Sequence, residues 1–276
     1  MSNYTQGYSR ATTRSHASRT IHSDAKFLIP HVKPADMILD VGCGPGTITV
    51  GFSEIVGPQG KVAGIDISSE ILEQAKSSIP PKPNLKFRQA DLLSETGLPF
   101  PDETFDVVFS SQLFPHLTPR EIRLQALKEM RRVLKTGGVL ATRDAAELHF
   151  YPRQYNLDEI WVERGNRARA FGNEGENDAG KFPGGEMPAL YRECGFASDN
   201  IIIGGGTTVH SGKEAKGWFS EANVQKLSEG DAFRESWLRA GITDGEIEET
   251  KGKMQEWARD ENGWYVALQA EIVARK

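Results

Sequence analysis

No apolar run in this 276-residue chain approaches the ~20 residues a helix needs to cross a bilayer, so no membrane-spanning helix is expected. The opening stretch, MSNYTQGYSRATTRSHASRT, lacks the apolar centre of a secretory signal. Its Ser, Thr and Arg content occurs in transit peptides, and a tyrosine-bearing lid explains it as well. Cysteine is scarce: Cys43 and Cys194 give neither a disulfide framework nor a metal-ligand spacing. No Asp/Glu/His cluster suggests a divalent ion. With a net charge of −5 the chain has no general footprint for nucleic acid, and the Arg131–Arg132 pair reads as the solvated end of a helix. These absences point to a metal-free cytoplasmic protein with no membrane or nucleic-acid partner, expected as a monomer or weak homodimer.

What is present is a chain with 38 % hydrophobic residues, enough for a substantial core in one domain with elaborations. Met37–Val41, Lys61–Ile65, Leu85–Gln89, Phe105–Ser110 and Gly138–Thr142 are short apolar runs of the kind buried parallel strands require. Helical patterns at Thr47–Val56, Ser69–Ser78 and Pro119–Leu134 alternate with them, after a short helix at Ser23–His31. That alternation predicts a doubly wound α/β sheet. For the Pro119 helix, Thr118 is the expected cap, Pro119 the first helical residue, and Ile122, Leu127, Met130 and Leu134 the core stripe. Beyond Asp144 the pattern loosens. Helices at Leu157–Ala170 and Met187–Cys194 flank GNEGENDAGKFPGG (172–185), read as a mobile surface loop. Ile201–Gly204 and Tyr265–Ala274 are candidate sixth and seventh strands, with helices at Ala215–Ala222, Asp231–Arg239 and Thr243–Arg259 between them.

The densest signal is LDVGCGPGTITV (39–50), a strand that runs into glycines at 42, 44 and 46, followed by Asp66 at the end of the next apolar run. Glycine lets a strand-to-helix turn approach a ligand, because no Cβ intervenes and positive φ is allowed. An acid at the neighbouring strand end can accept hydrogen bonds from a ribose diol. The spacing differs from the dinucleotide fingerprint G-x-G-x-x-G: the third glycine comes one position early, and Asp40 stands where it would repel a phosphate. A positively charged, phosphate-free ligand suits the turn better. Taken alone, the glycines could also form an ordinary tight turn. In a doubly wound sheet the ligand crevice lies beyond the carboxyl ends of the strands. The residues there are Gly42 to Gly46 with Cys43, then Asp66 and Ile67, then Ala90, Asp91 and Leu92, then Ser111, Gln112, Leu113 and Phe114. Cys43 reads as packed against its strand, a catalytic thiol being the weaker alternative.

Asp40, Gly42, Gly44 and Gly46 match D-x-G-x-G-x-G, and the chain resembles the class I S-adenosylmethionine-dependent methyltransferases. LPFPDETFDVVFSSQLFPHL (98–117) and MRRVLKTGGVL (130–140) resemble the ubiquinone/menaquinone-biosynthesis branch of that family. The resemblance implies a seven-stranded, Rossmann-like, mostly parallel sheet whose last two strands form an antiparallel edge, with S-adenosyl-L-methionine as cofactor. It implies Asp66 on the ribose with Ile67 against the adenine, and Asp91 on the adenine amino group with Leu92 flanking the ring. Read from the residues alone, Asp66 could cap a helix and Asp91 could stabilise a turn. The expected layout is one domain, 1–276: an N-terminal lid at 1–30 carrying Tyr4 and Tyr8 toward the cofactor, a cofactor-binding core at 31–145, helical caps at 146–196 and 208–262, and last strands at 197–207 and 263–276.

Methyl transfer from a sulfonium needs alignment more than acid–base machinery, and alignment can contribute on the order of 7 to 11 kcal/mol. Candidate catalytic residues are His116, as a base or a helix cap, and Asp144, as a proton acceptor or part of a network with Arg143. YTQGYSRATTRSHASRT (4–20), FSSQLFPHL (109–117) and ATRDAAELHFYP (141–152) are similar to a fungal secondary-metabolite subgroup typified by the gliotoxin bis-thiomethyltransferase. That likeness implies a small-molecule thiol partner, both thiols of a reduced epidithiodiketopiperazine. Tyr4, Tyr8, Phe114, Phe150, Tyr151, Trp161, Phe171 and Trp264 are the aromatics expected near its pocket. Two alternatives remain: a carbon or oxygen methyltransferase acting on a quinone, polyketide or indole, and a non-catalytic regulatory relative.

Overall fold

The computed structural model describes residues 18–171 and 182–276; Tyr4, Tyr8 and most of the 172–185 stretch lie outside the described residues. The apolar runs become strands because each must bury both faces. In β1 (Met37–Val41), Leu39 and Val41 face one layer and Ile38 faces the other. The first layer holds Leu127 and Met130 of a helix at Arg120–Val133; the second holds Phe52 of a helix at Thr47–Val56. Beside β1 lie β2 (Lys61–Asp66), β3 (Leu85–Gln89), β4 (Phe105–Ser111), β5 (Leu134–Tyr151), β6 (Ile201–Ser211) and β7 (Trp264–Arg275).

The sheet order is β3-β2-β1-β4-β5-β7-β6, with β7 antiparallel to both β5 and β6 and the other pairs parallel. The expected seven-stranded, mostly parallel α/β sheet is therefore present. Its strand order reverses between β1 and β4, and there the carboxyl ends open a crevice.

Four expectations need correction. The helix after β4 starts at Arg120: Pro119 is its N-cap, in extended conformation, and offers no side-chain acceptor. The Ser23–His31 helix is two short pieces, α-helical at Ile21–Asp24 and 3-10 at Ile29–His31, the second carrying Pro30 near its start. Arg132 is not merely solvated. It pairs with Asp102 and Glu129 and donates to the Leu98 and Phe100 carbonyls, which ties the loop before β4 to the helix. The fifth strand runs far past Thr142, because β7 pairs with it as far as Tyr151↔Trp264.

That extension carries the sheet into the region over the crevice. Helices at Arg164–Ala170, Gly212–Lys226, Ala232–Arg239 and Asp244–Arg259 gather there. Ala168, Phe233, Trp237, Ile242 and Ile247 form one small core; Phe150, Met254, Trp257 and Tyr265 form another against the long strands. The 3-10 turn Pro183–Gly185 packs directly on β5: a Cβ on Gly184 would lie 2.5 Å from the Asp144 carbonyl oxygen, whereas one on Gly185 would meet nothing within 4 Å. Gly184→Ala should therefore force the turn off the strand and lower stability by about 1–3 kcal/mol in thermal or denaturant unfolding, while Gly185→Ala stays near wild type. Equal effects of the two would show that the close approach does not constrain the turn.

Candidate functional site

Because β1, β2, β3 and β4 end side by side, the residues after them line one cavity of about 590 Å³, inside the range usual for small-molecule sites. Asp40, Gly42, Cys43, Gly44, Asp66, Ile67, Ala90, Asp91, Leu92, Ser111, Gln112 and His116 all reach its wall. Gly46 and Asp144 do not. Gly46 takes a left-handed φ of 77° at the start of the Thr47–Val56 helix, and a Cβ there would strike the Phe87 ring at 2.5 Å. Its role is packing against β3.

Gly44 behaves otherwise: its φ is 52°, and a Cβ would find nothing within 4 Å, so the backbone there faces open cavity. The Asp66 carboxylate holds this turn, accepting from the Gly44 amide at 3.0 Å and the Ser68 amide at 3.0 Å. Each carboxylate oxygen retains lone-pair capacity for a ligand. Burial raises the pKa of Asp66 above the ordinary range, its bonds to backbone amides opposing the shift. Asp40 is buried and accepts the Thr49 hydroxyl at 2.6 Å; burial pushes it up to about 7, with Asp66 adding to the rise. Asp91 accepts from the Leu93 amide at 2.9 Å. The buried Ser111 hydroxyl has no hydrogen-bond partner among the described residues. Gln112, held at a φ of 56°, donates to Gln269 at 2.5 Å, joining β4 to β7.

These features fit S-adenosylmethionine: two buried carboxyls that a cationic ligand would help ionise, a side-chain-free cradle at Gly44, and an open polar atom on Ser111. Cys43 is buried with its thiol raised well above the ordinary value by burial and by Asp40, so it stays protonated and supplies no nucleophile.

Asp144, a candidate proton acceptor, sits below the cavity, fully buried, and takes the Phe114 amide at 3.0 Å. It holds the 3-10 turn Phe114–His116 in place and has no route to an acceptor. Nor does it pair with Arg143, whose guanidinium reaches Asp24 at 2.9 Å, Glu271 at 3.1 Å and Thr208 at 3.2 Å. His116 does line the cavity. Burial, with the charges of Arg169, Arg19 and Lys226 acting in the same direction, pushes its pKa down to about 3. It is neutral at physiological pH and a weak base.

Of the expected pocket aromatics, only Trp161 lines the cavity among the described residues. Phe114 and Phe150 are core, Tyr151 stacks on Trp264 at 4.5 Å, and Phe171 is exposed. The aromatic wall is made instead by Phe182, Trp218, Phe219, Phe233 and Tyr265, with His210 against Phe219 at 4.6 Å. Sequence reasoning also missed Arg19, Arg169 and Lys226. A signal existed for the last: Phe219, Asn223 and Lys226 fall on one face of the Gly212–Lys226 helix, and all three meet the cavity.

Burial raises the pKa of Asp144 from 3.8 to about 7. A carboxyl whose folded pKa is raised adds most stability below its unfolded pKa and loses it as pH climbs through the folded value. Asp144→Asn keeps an acceptor for Phe114 without that loss. Its stability relative to wild type should improve by about 3 kcal/mol between pH 5 and pH 8 in paired denaturant titrations. A constant difference would place the ionisation elsewhere.

The family described as "Methyltransferase domain" matches residues 38–138. A probable methyltransferase of Aspergillus luteorubrus, ltbC, is 44 % identical over 284 residues, covering 99 % of this chain and 97 % of its own. A demethylmenaquinone methyltransferase of Staphylococcus aureus is 32 % identical over 199 residues, 67 % of this chain and 78 % of its own. The YcgJ protein of Bacillus subtilis shares the fold, with a TM-score of 0.55 at 18 % identity over 91 % of this chain and 97 % of its own. With the crevice, the glycine cradle and full-length identity to a methyltransferase in agreement, the chain belongs to the class I S-adenosylmethionine-dependent methyltransferases.

Proposed function

We propose that the chain methylates sulfur, on the two thiols of a reduced epidithiodiketopiperazine such as dithiol gliotoxin. One observation carries this reading: burial lowers the pKa of both histidines on the cavity wall, His116 and His210, which weakens each as a base toward an alcohol or a ring carbon. A thiol, with an ordinary pKa of ~8.5, supplies a few per cent thiolate at neutral pH without help.

Bound S-adenosylmethionine supplies a methyl group already activated on a sulfonium. The chain's own part is to hold the reactants in line and keep water out. Asp66 and Asp91 would take the ribose and adenine, and Asp40 and Ser111 the amino-acid end, a reading supported by all four lining the one cavity. The thiol proton goes to solvent first. The thiolate sulfur then forms its bond to the methyl carbon as the sulfonium bond breaks, and the leaving group departs as a neutral thioether. A second round on the other thiol requires the half-methylated product to turn or rebind in the cavity, against the aromatic faces of Trp161, Trp218, Phe219 and Phe233. The demethylmenaquinone methyltransferases support a second reading, a quinol-like acceptor methylated on carbon.

Labelled cofactor incubated with dithiol gliotoxin should yield product with label on both sulfurs, and the oxidised disulfide should give none without reductant, since it lacks an anionic sulfur. Transfer to carbon or oxygen, or equal turnover of the disulfide, would reverse the choice. His116→Ala should lower the rate modestly and leave the pH–rate profile parallel to wild type, whereas a base would leave a rate that recovers at high pH. On the cofactor side, Asp66→Ala should weaken S-adenosylhomocysteine by about 1.5–3 kcal/mol in calorimetry, the usual range for a charged hydrogen bond. Unchanged affinity would remove Asp66 from the site.

A further inference from the structure

Beyond the ends of β1 to β4, the cavity wall carries two adjacent polar side chains, His210 on β6 and Tyr265 on β7. They are register partners in the antiparallel pair, so they leave one face of the sheet side by side, with ring centroids 5.6 Å apart and planes at 24°. Phe219 of the Gly212–Lys226 helix closes the cluster, 4.6 Å from the His210 ring and 4.7 Å from that of Tyr265, and Trp218 stands 5.9 Å from His210. The rings are thus held by packing. Their polar atoms are not: among the described residues, neither nitrogen of His210 nor the hydroxyl of Tyr265 has a hydrogen-bond partner, although Tyr265 is only 5 % exposed. None of these three atoms is sealed inside the protein, so each stays open to the cavity.

A tyrosine hydroxyl or an imidazole taken into a protein normally finds a partner there, because an unmet polar group forfeits its hydration. Here the partner has to come from what enters the cavity. Burial raises the Tyr265 phenol above its ordinary range, outweighing the opposing charges of Arg19 and Arg169, and burial lowers His210 below its own. At neutral pH the pair therefore offers one phenolic O–H, one imidazole N–H and one imidazole lone pair. Donors and an acceptor side by side complement a group that can both give and take a hydrogen bond; a carbonyl, an ether or a methyl group would leave the lone pair unmet. The surrounding rings of Trp218, Phe219 and Phe233 suit an apolar frame around that group. We propose that His210 and Tyr265 hold the acceptor by a protic group, a thiol or a hydroxyl, hydrogen-bonded to both.

The inference rests on reading the ends of β1 to β4 as the cofactor site, which leaves this wall to the acceptor, and it deepens the sulfur proposal. A thiol held there keeps its sulfur beside fixed donors, which favour the thiolate once the proton has gone to solvent. An acceptor with a phenolic hydroxyl would be held in the same way. The atom that takes the methyl group and the residues that grip the acceptor are thus separate claims.

The probes 2-naphthol and 2-methoxynaphthalene share a ring system and differ in whether the oxygen carries a proton. Titrated calorimetrically into the full chain saturated with S-adenosylhomocysteine, the naphthol should bind about 10-fold more tightly, the size of one to two neutral hydrogen bonds. Tyr265→Phe and His210→Phe each keep a ring in place, and each should cut that preference to about threefold or less while the methyl ether holds its affinity. His210→Gln, which keeps a donor and an acceptor, should recover part of the preference that His210→Phe loses. Equal affinities in the wild type, no binding of the naphthol, a preference that survives both phenylalanine variants, or a loss shared equally by the two probes would overturn the inference. Displacement of S-adenosylhomocysteine by the naphthol would overturn it too, by putting the pair in the cofactor's own site. Methyl label found on carbon or oxygen would end the sulfur reading and leave the pair standing. Equal binding of the probes would end the pair and leave sulfur transfer in place.

Discussion

The cavity depends on one buried guanidinium. Arg143 stands where β5 passes from the shared core of the sheet into its extension, and its fork reaches three separate parts of the chain: Asp24 in the N-terminal segment, Thr208 on β6 and Glu271 on β7. Its side chain is 2 % exposed. A planar, permanently charged donor can satisfy such a set in a single geometry, which a flexible ammonium cannot. Removing it would leave two carboxylates inside the protein without their cation, a loss of about 3–5 kcal/mol when a buried pair is broken from one side. Walls on three sides of the cavity are thus joined through one residue of β5. A ligand that touches Arg143 would feel all three.

From that hub the cavity divides by charge. Toward the strand ends the buried Asp40 and the half-buried Asp66 carry raised pKa values, because burial disfavours their ionised forms. A cation reverses that preference, so the arrival of a sulfonium with an ammonium group stabilises the ionised carboxylates and itself together. Toward the cap the sign is opposite, and His116 is neutral between cationic neighbours.

The sheet was legible because its causes are local. The strands at Met37–Val41 and Leu85–Gln89 and the helices at Thr47–Val56 and Ser69–Ser78 fall on the residues that periodicity indicates. Strand-end chemistry follows from the same local order, which gathers the residues following four strands into one crevice. Three kinds of feature were not legible. The start of the Arg120–Val133 helix shifted because Pro119 adopts extended backbone at the N-cap. The length of β5 is dictated by β7, more than a hundred residues away in the chain. Aromatic residues such as Phe114 and Phe150 look the same in sequence whether they line a pocket or fill a core, and here they fill the core. Asp144 was misread for a related reason: residue type and strand-end position suggested a proton acceptor, but side chains alternate across a strand, and this one turned inward to hold the Phe114 amide.

Legibility and evolvability have the same origin. The donor end is assembled from strand ends contiguous in the sheet and from residues 40–112, and its glycine turn tolerates little because Gly42 and Gly46 pack against Leu113 and Phe87. The rest of the cavity wall comes from distant segments, around residues 18–24, 161–169, 182, 207–226, 233 and 265–269, whose packing is carried by separate small cores. A substitution in the Ala232–Arg239 helix can reshape the wall at Phe233 without disturbing the cradle at Gly44, since no hydrophobic cluster contains residues of both. The two ends of the cavity can thereby change separately. The coupling that remains runs through Gln112, Gln269 and Thr208 to Arg143, a polar chain across β4, β7, β6 and β5. Because each of its members hydrogen-bonds the next, a cap that shifts β6 or β7 must carry this chain with it, and only those rearrangements that preserve it leave the crevice intact.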